Sequence, residues 1–427
     1  MPWLFLLLSG FGGWLTFNAY RPMFSAPRRA TFSFFAGWLT AELALHQIAV
    51  QALLTVVFIR CGALRAWPGR LGLLISVGSW AALALLYWRA HDVETVVEQA
   101  LSAGLGPDYR DKILPPLRAQ FASTVDWRRI FVPFPMRHPE VERLRDLTYA
   151  RVGHVDLKLD IYRQRSQPRG CPTLLQIHGG AWIIGSKNEQ AIPLMLHLAS
   201  RGWVCITANY RLSPRATFPD HLIDLKRAVR WIREHGAEYG ANPDFIVVTG
   251  GSAGGHLAAL VALTANEPEY QPDFAAVDTS VQGCVAFYGV YDFTNRHGVY
   301  HHQAMAKMLE RHVMKARLEE ARSAYEKASP LSRIHSGAPP FFVVHGTLDT
   351  LVPVAEARHF CERLRCTSSA PVVYAEIPGA QHAFELFPSL RSVLVIQGVE
   401  RFLAYVYSAY LRAQREALHA GGAAVAV

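Results

Sequence analysis

Residues 245–255 read FIVVTGGSAGG, and this stretch decides the fold. The apolar run Phe245–Thr249 predicts a buried strand, and the apolar stretch Ala253–Leu263 predicts a helix directly after it. The G-x-S-x-G pattern joins the two, and its glycines permit a sharp turn that lifts the hydroxyl of Ser252 out of the backbone. Such a pattern arises by chance in about one chain in seven of this length. Its position between a strand and a helix N-terminus, which favours negative charge, indicates that Ser252 is a nucleophile.

Six further short apolar runs predict strands on either side of this stretch: Val155–Tyr162, Thr173–His178, Trp203–Asn209, Gly283–Tyr288, Phe341–His345 and Val372–Ile377. Longer amphipathic stretches, such as Leu222–His235, lie between several of them. Strands that alternate with helices predict right-handed crossovers and a mostly parallel sheet with helices on both faces. Because the chemistry of such sheets gathers at the carboxyl ends of the strands, the residues after each run are the candidates for a site.

A second glycine turn, His178-Gly179-Gly180-Ala181-Trp182, ends the run Thr173–His178. Consecutive glycines let backbone N–H groups converge on one point, as the stabilisation of a tetrahedral oxyanion requires. A tight turn with a purely structural role is the alternative interpretation.

Two later runs are followed by candidate partners for Ser252. Asp349 comes shortly after Phe341–His345, and His382 comes shortly after Val372–Ile377. A serine nucleophile needs a base, and the base needs an acid that holds its tautomer. The order serine, aspartate, histidine is the order that hydrolases with a strand-turn-helix nucleophile use. We therefore predict Asp349 as the acid and His382 as the base.

Other polar residues compete for these roles. Asp292, which follows another predicted strand, is an alternative acid. His256 lies one helical turn beyond the nucleophile, but we prefer a structural, hydrogen-bonded histidine because the helix leads away from the site. The cluster of His297, His301 and His302 has no companion carboxylate at metal-ligand spacing. We expect a polar surface there, and we expect neither a metal nor another cofactor.

Three further motifs complete a resemblance to a known family: Leu159-Asp160-Ile161-Tyr162, Tyr210-Arg211-Leu212-Ser213-Pro214, and Asp224…Ala228…Trp231. With the two glycine turns, they make residues 146–410 resemble the hormone-sensitive-lipase-like branch of the α/β-hydrolases, which includes bacterial acetyl-hydrolases and carboxylesterases. With its apolar N-terminal region, the whole chain is similar to the membrane-associated Lip carboxylesterases of mycobacteria and related actinobacteria.

This resemblance implies a fold and a set of site residues. The implied fold is the α/β-hydrolase fold, a mostly parallel eight-stranded sheet with helices on both faces and a lid insertion. The implied site comprises the nucleophile Ser252, the acid Asp349, the base His382 and the oxyanion-hole N–H groups of Gly180, Ala181 and Ala253. Two positions depart from the family pattern. Ala181 stands where a third glycine is frequent, which narrows the pocket, and Gly251 stands where an aspartate often precedes the nucleophile, which leaves the usual neighbouring charge in doubt.

The first 89 residues contain three apolar stretches, Pro2–Tyr20, Thr31–Ile59 and Leu71–Trp88, each about long enough to cross a bilayer. We predict three transmembrane helices. A signal peptide is the alternative for the first stretch, and an apolar bundle that covers the enzyme is the alternative for all three. Glu42 and His46 are four residues apart, which places them on one face of the second helix, where we favour an interhelical hydrogen bond over a functional role.

Charge and cysteine content exclude some classes of protein. Of the net charge of +9, the first 89 residues contribute +6, from seven arginines and one acid. Since no basic run with interleaved aromatic residues occurs in the rest of the chain, we expect no nucleic-acid partner. The six cysteines form no C-x-x-C pair, so we expect free thiols, which favour a reducing compartment weakly. The arginines of the two loops nearly cancel, so the side of the membrane stays open, with a weak preference for the cytoplasmic side.

The predicted organisation is a transmembrane region (1–89), a helical connector and possible lid (90–145), and a catalytic domain (146–415) with a lid insertion at 293–335, where His297, Met305 and Met308 are candidates to line an acyl pocket. The predicted function is a membrane-anchored serine carboxylesterase or lipase acting on a small-molecule or lipid ester. An amidase or acyltransferase with the same triad and a non-catalytic membrane protein that binds ligands are the alternatives. The sequence leaves the natural ester and the oligomeric state open.

Overall fold

An eight-stranded sheet forms the centre of the larger part of the chain in the computed structural model, which describes residues 1–24, 26–121, 125–134, 136–300 and 303–423. The strands are β1 (Val141–Val152), β2 (Val155–Gln164), β3 (Cys171–Ile177), β4 (Val204–Ala208), β5 (Ala241–Gly251), β6 (Gly283–Phe287), β7 (Phe341–Gly346) and β8 (Val372–Ile377). Their order across the sheet is β1-β2-β4-β3-β5-β6-β7-β8. All pairs from β4 to β8 are parallel, and β1 and β2 join antiparallel at one edge, so the mostly parallel sheet is confirmed.

Strand β1 has no counterpart among the predicted runs. More than a third of the residues in its sequence, VERLRDLTYARV, are charged, so it lacks the apolar run that predicts a buried strand. An edge strand tolerates this composition because it exposes much of its surface to solvent. It begins at Val141, within the stretch interpreted as a connector.

Helices cover both faces of the sheet because successive side chains of the buried strands point to opposite sides. On β7, Phe341 and Val343 enter one core, and Phe342 and Val344 enter the other. One face packs against α9 (Asp220–His235), α10 (Ala253–Leu263) and α13 (Val354–Thr367). The opposite face packs against α5 (Asp92–Leu105), α8 (Ile192–Ala199) and α14 (Leu390–Ala423).

The segment between the N-terminal region and β1 contributes to this core. Val93, Val97 and Leu101 of α5 are fully buried, and α5 lies against β8 and α14. Two short helices follow it, α6 (Pro115–Arg118) and α7 (Trp127–Phe131).

The insertion between β6 and β7, predicted as a lid over 293–335, contains short helical elements. They include α11 (Ala304–Met308), a single π-helical turn (Leu309–Val313) and α12 (Arg322–Lys327).

The N-terminal region consists of four helices, α1 (Pro2–Tyr20), α2 (Pro27–Glu42), α3 (Ala44–Arg60) and α4 (Trp67–Arg89). The second predicted span is therefore two helices, which meet at Leu43 with a bend of 91°. The placement of Glu42 and His46 on one helix face is wrong, because the chain changes direction between them. Both side chains instead bind the rest of the protein: the Glu42 carboxylate pairs with Arg391, and His46 Nε2 donates to the Phe131 carbonyl at 3.0 Å.

The bend also changes the number of candidate membrane spans. Among the described residues, only the helix Trp67–Leu105, which comprises α4 and α5, is long and apolar enough to cross a membrane by itself. The bent pair α2–α3 is a second candidate if it counts as one broken span. Helix α1, which contains the polar residues Ser9, Thr16 and Asn18, is not among the helices apolar enough to span a membrane, so three separate spans are not supported.

Candidate active site

Ser252 occupies the turn between β5 and α10. Its backbone has φ +58° and ψ −122°, a conformation that costs a residue with a side chain about 1–3 kcal/mol and persists where the surroundings enforce it. Two features hold this conformation in place. The residue is fixed between β5, which ends at Gly251, and α10, which begins at Ala253. Its N–H also donates to the Phe287 carbonyl at 3.0 Å. The Ser252 hydroxyl does not cap α10, so it remains available for other partners.

His382 and Asp349 are brought together by the loops after β8 and β7. His382 Nδ1 lies 2.6 Å from Asp349 Oδ2, and both side chains are buried. The second oxygen of Asp349 accepts the N–H groups of Leu351 and Val352 at 2.9 and 2.8 Å. Burial by itself would raise the pKa of Asp349, but the charge of His382 and hydrogen bonds from His345 and His382 hold that pKa well below its ordinary value. Asp349 is therefore an ionised group bonded to His382 through Nδ1, and within the described residues no protein group is hydrogen-bonded to His382 Nε2.

The glycine turn after β3 lies against the Ser252 turn. A Cβ at Gly179 would come within 2.5 Å of the Gly251 carbonyl oxygen and 3.2 Å of Ser252 Cβ, so the approach requires a glycine. Gly180 and Ala181 have positive φ values of +116° and +52°. Within the described part of the chain, their N–H groups donate to no protein acceptor, as donors reserved for a ligand would.

Ser252, His382 and Ala181 line one cavity of about 240 Å³. Met305 and Met308 of the insertion lie on its wall, where the sequence places them as candidates, whereas His297 is not among the lining residues. The remaining wall includes three residues of α2, Pro27, Ala30 and Thr31.

Helix α2 is the part of the site that the sequence reasoning missed. Thr350 Oγ1 donates to the Ala30 carbonyl at 3.1 Å, next to Asp349. The Phe34 ring meets the His382 ring edge-on, with centroids 6.0 Å apart. A signal was available in Glu42, the only acid in the first 89 residues, because a lone acid in an apolar stretch predicts a specific partner.

Comparison with known proteins establishes the family. A protein-family model described as BD-FAE matches residues 159–364. The chain is 42% identical over 412 residues to the probable carboxylic ester hydrolase LipM of Mycobacterium tuberculosis, covering 92% of this chain and 91% of that protein. This chain belongs to the Lip esterases of the hormone-sensitive-lipase-like α/β-hydrolases. Esterase LipQ of the same bacterium is 40% identical to it over 391 residues, covering 90% of this chain and 86% of LipQ.

Solved structures agree with this assignment. The native esterase Est2 of the planctomycete Thermogutta terrifontis is 28% identical to this Lip esterase, with a TM-score of 0.51 over 63% of this chain and 91% of that one. Its butyrate-bound form gives 28% identity and a TM-score of 0.52, over 65% and 95%. The α/β-hydrolase fold is confirmed, and the protein is a carboxylic ester hydrolase. The alternative of a non-catalytic ligand-binding protein is thereby overturned.

The competing residues of this Lip esterase have other partners. His256 is fully buried: it accepts from Trp182 Nε1 at 3.1 Å and donates from Nε2 to the Ala328 carbonyl at 2.8 Å, and burial lowers its pKa to about 3. Asp292 accepts hydrogen bonds from Thr294 and Arg296 of its own loop. These partners assign structural roles to both residues.

The suggested histidine cluster is only partly visible. His297 stacks on His359 with centroids 4.0 Å apart, and His301 and His302 lie outside the described residues. Across the described ranges, no group of three or more His, Cys, Asp or Glu side chains is arranged to hold a metal ion.

Proposed function

We propose that this Lip esterase cleaves carboxylic esters with Ser252, His382 and Asp349 as a catalytic triad. The observation that carries the proposal is the 2.6 Å bond from His382 Nδ1 to Asp349 in a cavity that His382 shares with Ser252. With Nδ1 engaged, His382 Nε2 takes the proton of the Ser252 hydroxyl as Oγ attacks the ester carbonyl. Asp349 stabilises the imidazolium that forms and is not itself protonated.

The tetrahedral intermediate places a negative oxygen beside the glycine turn. The free N–H groups of Gly180 and Ala181, with that of Ala253 at the first position of α10, are the proposed donors. Collapse of the intermediate gives the alcohol its proton from His382 and leaves Ser252 acylated. Water, deprotonated by His382, then releases the acid. Support comes from T. terrifontis esterase 2, whose structure has been solved phosphonylated by sarin.

We further propose that the N-terminal helices hold the enzyme at a membrane. Their outward side chains include Leu7 and Leu74, 69% and 68% exposed, a surface that water disfavours. Helices α1 and α4 meet through small residues, with Thr16 Oγ1 2.7 Å from Ser79 Oγ and Ser76 Oγ 3.0 Å from Ser9 Oγ. Close packing of small and hydroxyl residues is typical of helices that associate in lipid. A poorly soluble or lipid ester fits such a location.

Covalent labelling with a fluorophosphonate probe tests the triad. Wild-type protein and a Ser166→Ala control, which alters an exposed serine, are expected to label equally and to hydrolyse p-nitrophenyl butyrate. Ser252→Ala is expected neither to react with the probe nor to hydrolyse the ester. Equal labelling of Ser252→Ala and wild type would refute the proposed nucleophile.

A further inference from the structure

The space beside Gly251, the residue that precedes the nucleophile, is filled by a tyrosine. A Cβ at Gly251 would lie 2.7 Å from the Tyr288 hydroxyl and 2.9 Å from its Cε2, so any side chain at 251 would collide with this ring. Tyr288 follows β6 with φ +38°, a conformation that is strained for a residue with a side chain. Its N–H donates to the Val344 carbonyl at 2.7 Å, which holds the strained residue in place.

Tyr288 connects this space to a buried acid. Its hydroxyl donates to Glu385 Oε1, and its ring lies beside the His382 ring, tilted by 52°, with centroids 4.4 Å apart. Glu385 is only 3% exposed and follows His382 by three residues in the same loop. Within the described residues, Glu385 Oε2 has no hydrogen-bond partner. Burying a carboxyl group with an unpartnered oxygen costs free energy, so the position of Glu385 next to His382 requires an explanation.

We propose that Glu385, held by Tyr288, is a positioning residue whose negative charge stabilises the imidazolium of His382 during turnover. This inference rests on the proposed triad. Tyr288 connects the two groups, because its hydroxyl holds Glu385 and its ring packs beside that of His382.

The groups that face Glu385 determine when it carries its charge. They are Tyr288 after β6, His382 in its own loop, and Glu42 of α2, which is paired with Arg391. Burial, opposed by the Tyr288 hydrogen bond and by His382, raises the pKa of Glu385 to about 7. Its carboxylate is therefore present above neutral pH and disappears as the pH falls through about 7. The support for His382 is lost in the same direction.

The pH dependence of kcat/KM distinguishes this role from packing. At pH 8, Glu385→Gln is expected to lower kcat about tenfold or more while KM for p-nitrophenyl butyrate changes less than about threefold. Because a nearby carboxylate raises the pKa of a histidine, its removal is expected to move the acid limb of kcat/KM to lower pH by about 0.5–1 unit. Tyr288→Phe is expected to shift the same limb in the same direction by less, and Glu385→Asp to retain the wild-type limb.

Tyr291→Phe is the matched control. Tyr291 is equally buried three residues along the chain, but its ring stacks on that of Phe360 with centroids 4.1 Å apart, and it makes no ring contact with His382 among the described residues. Removing the Tyr291 hydroxyl is expected to leave kcat and the acid limb of kcat/KM unchanged. If Glu385→Gln fails to fold, Tyr288→Phe and Glu385→Asp decide the question through the same limb.

The outcomes separate this inference from the proposed function. If Ser252→Ala and His382→Ala are inactive while folded Glu385→Gln keeps the wild-type kcat and acid limb, the role of Glu385 is refuted and the triad stands. If Ser252→Ala retains activity, the proposed function itself is refuted.

Discussion

The N-terminal helices and the α/β core differ in how much of their apolar side-chain surface is exposed. Of the 29 large hydrophobic residues that are exposed in the described chain, 22 lie in residues 1–89, and only Val155 and Ile184 lie within 146–415. The core buries its apolar residues against a sheet, whereas the N-terminal helices turn theirs outward. An outward apolar surface of this extent supports the proposed contact of the N-terminal helices with a membrane. The two regions therefore differ in the surface that they present to their surroundings.

They nevertheless share one site. The loop that carries His382 ends at Ser389, and Arg391 follows in the first turn of α14; these two residues bind the Glu42 carboxylate at 2.6 and 3.1 Å. Helix α2 supplies part of the wall of the Ser252 cavity. This arrangement indicates that the N-terminal region is a structural component of the esterase site in addition to its proposed contact with the membrane.

The largest effect is expected within the core, at the acid of the triad. Asp349→Asn preserves shape but removes the charge that fixes His382, and should lower kcat about 10³–10⁴-fold. Asp292→Asn, which changes the competing aspartate, should stay within about threefold of wild type, because the Asp292 carboxylate is held, within the described residues, by Thr294 and Arg296 of its own loop. Ester hydrolysis under saturating substrate measures both. A larger loss in Asp292→Asn would reverse the assignment of the acid.

The contact between the two regions is expected to show the next largest effect. Glu42 and Arg391 are almost completely buried, so Glu42→Ala leaves an uncompensated guanidinium and should lower the free energy of unfolding by about 3–5 kcal/mol. The exposed pair Arg151–Asp156 provides the control, since Asp156→Ala should cost less than about 1 kcal/mol. Denaturant unfolding in detergent measures both, and equal costs would show that the buried pair does not join the regions.

Membrane partitioning directly tests the proposed contact of the N-terminal helices with lipid. Leu74→Asp on α4 should weaken partitioning into phospholipid vesicles by about 3 kcal/mol, because a charge replaces an apolar side chain in lipid. Ile184→Asp changes a residue of nearly equal exposure, 67% against 68%, on the core and should leave partitioning unchanged. Vesicle flotation of both variants gives the result. Identical behaviour would remove the basis for assigning the N-terminal helices to lipid.

The smallest effect concerns acyl-chain selectivity. Ala30→Leu narrows the cavity from the α2 side and should lower kcat/KM for long-chain relative to acetyl esters about tenfold. Met308→Ala opens the opposite wall and should shift the ratio the other way. Val50→Leu, on the outward surface of α3 at 54% exposure, is the control and should leave the ratio unchanged. A p-nitrophenyl ester series measures it; unaltered selectivity in Ala30→Leu would exclude α2 from the acyl pocket.

The sequence by itself determined the features that depend on neighbouring residues. Local patterns predicted the apolar run into the Ser252 turn and the strands with continuous apolar residues, because strand, turn and helix preferences act over a few residues. They also predicted the order of Ser252, Asp349 and His382 along the chain. Met305 and Met308 were correctly identified as candidates to line the cavity for the same reason, since they lie in an insertion at a strand end.

Only the tertiary structure decided the contacts between distant parts of the chain. Glu42 meets Arg391, α2 closes the cavity over His382, and Tyr288 with Glu385 occupies the place beside Gly251. The charged edge strand β1 and the 91° bend at Leu43 also escape local patterns. Each of these features depends on packing between segments far apart in sequence, and such packing overrides local preference because it buries more surface and more charge than any single residue's propensity can offset.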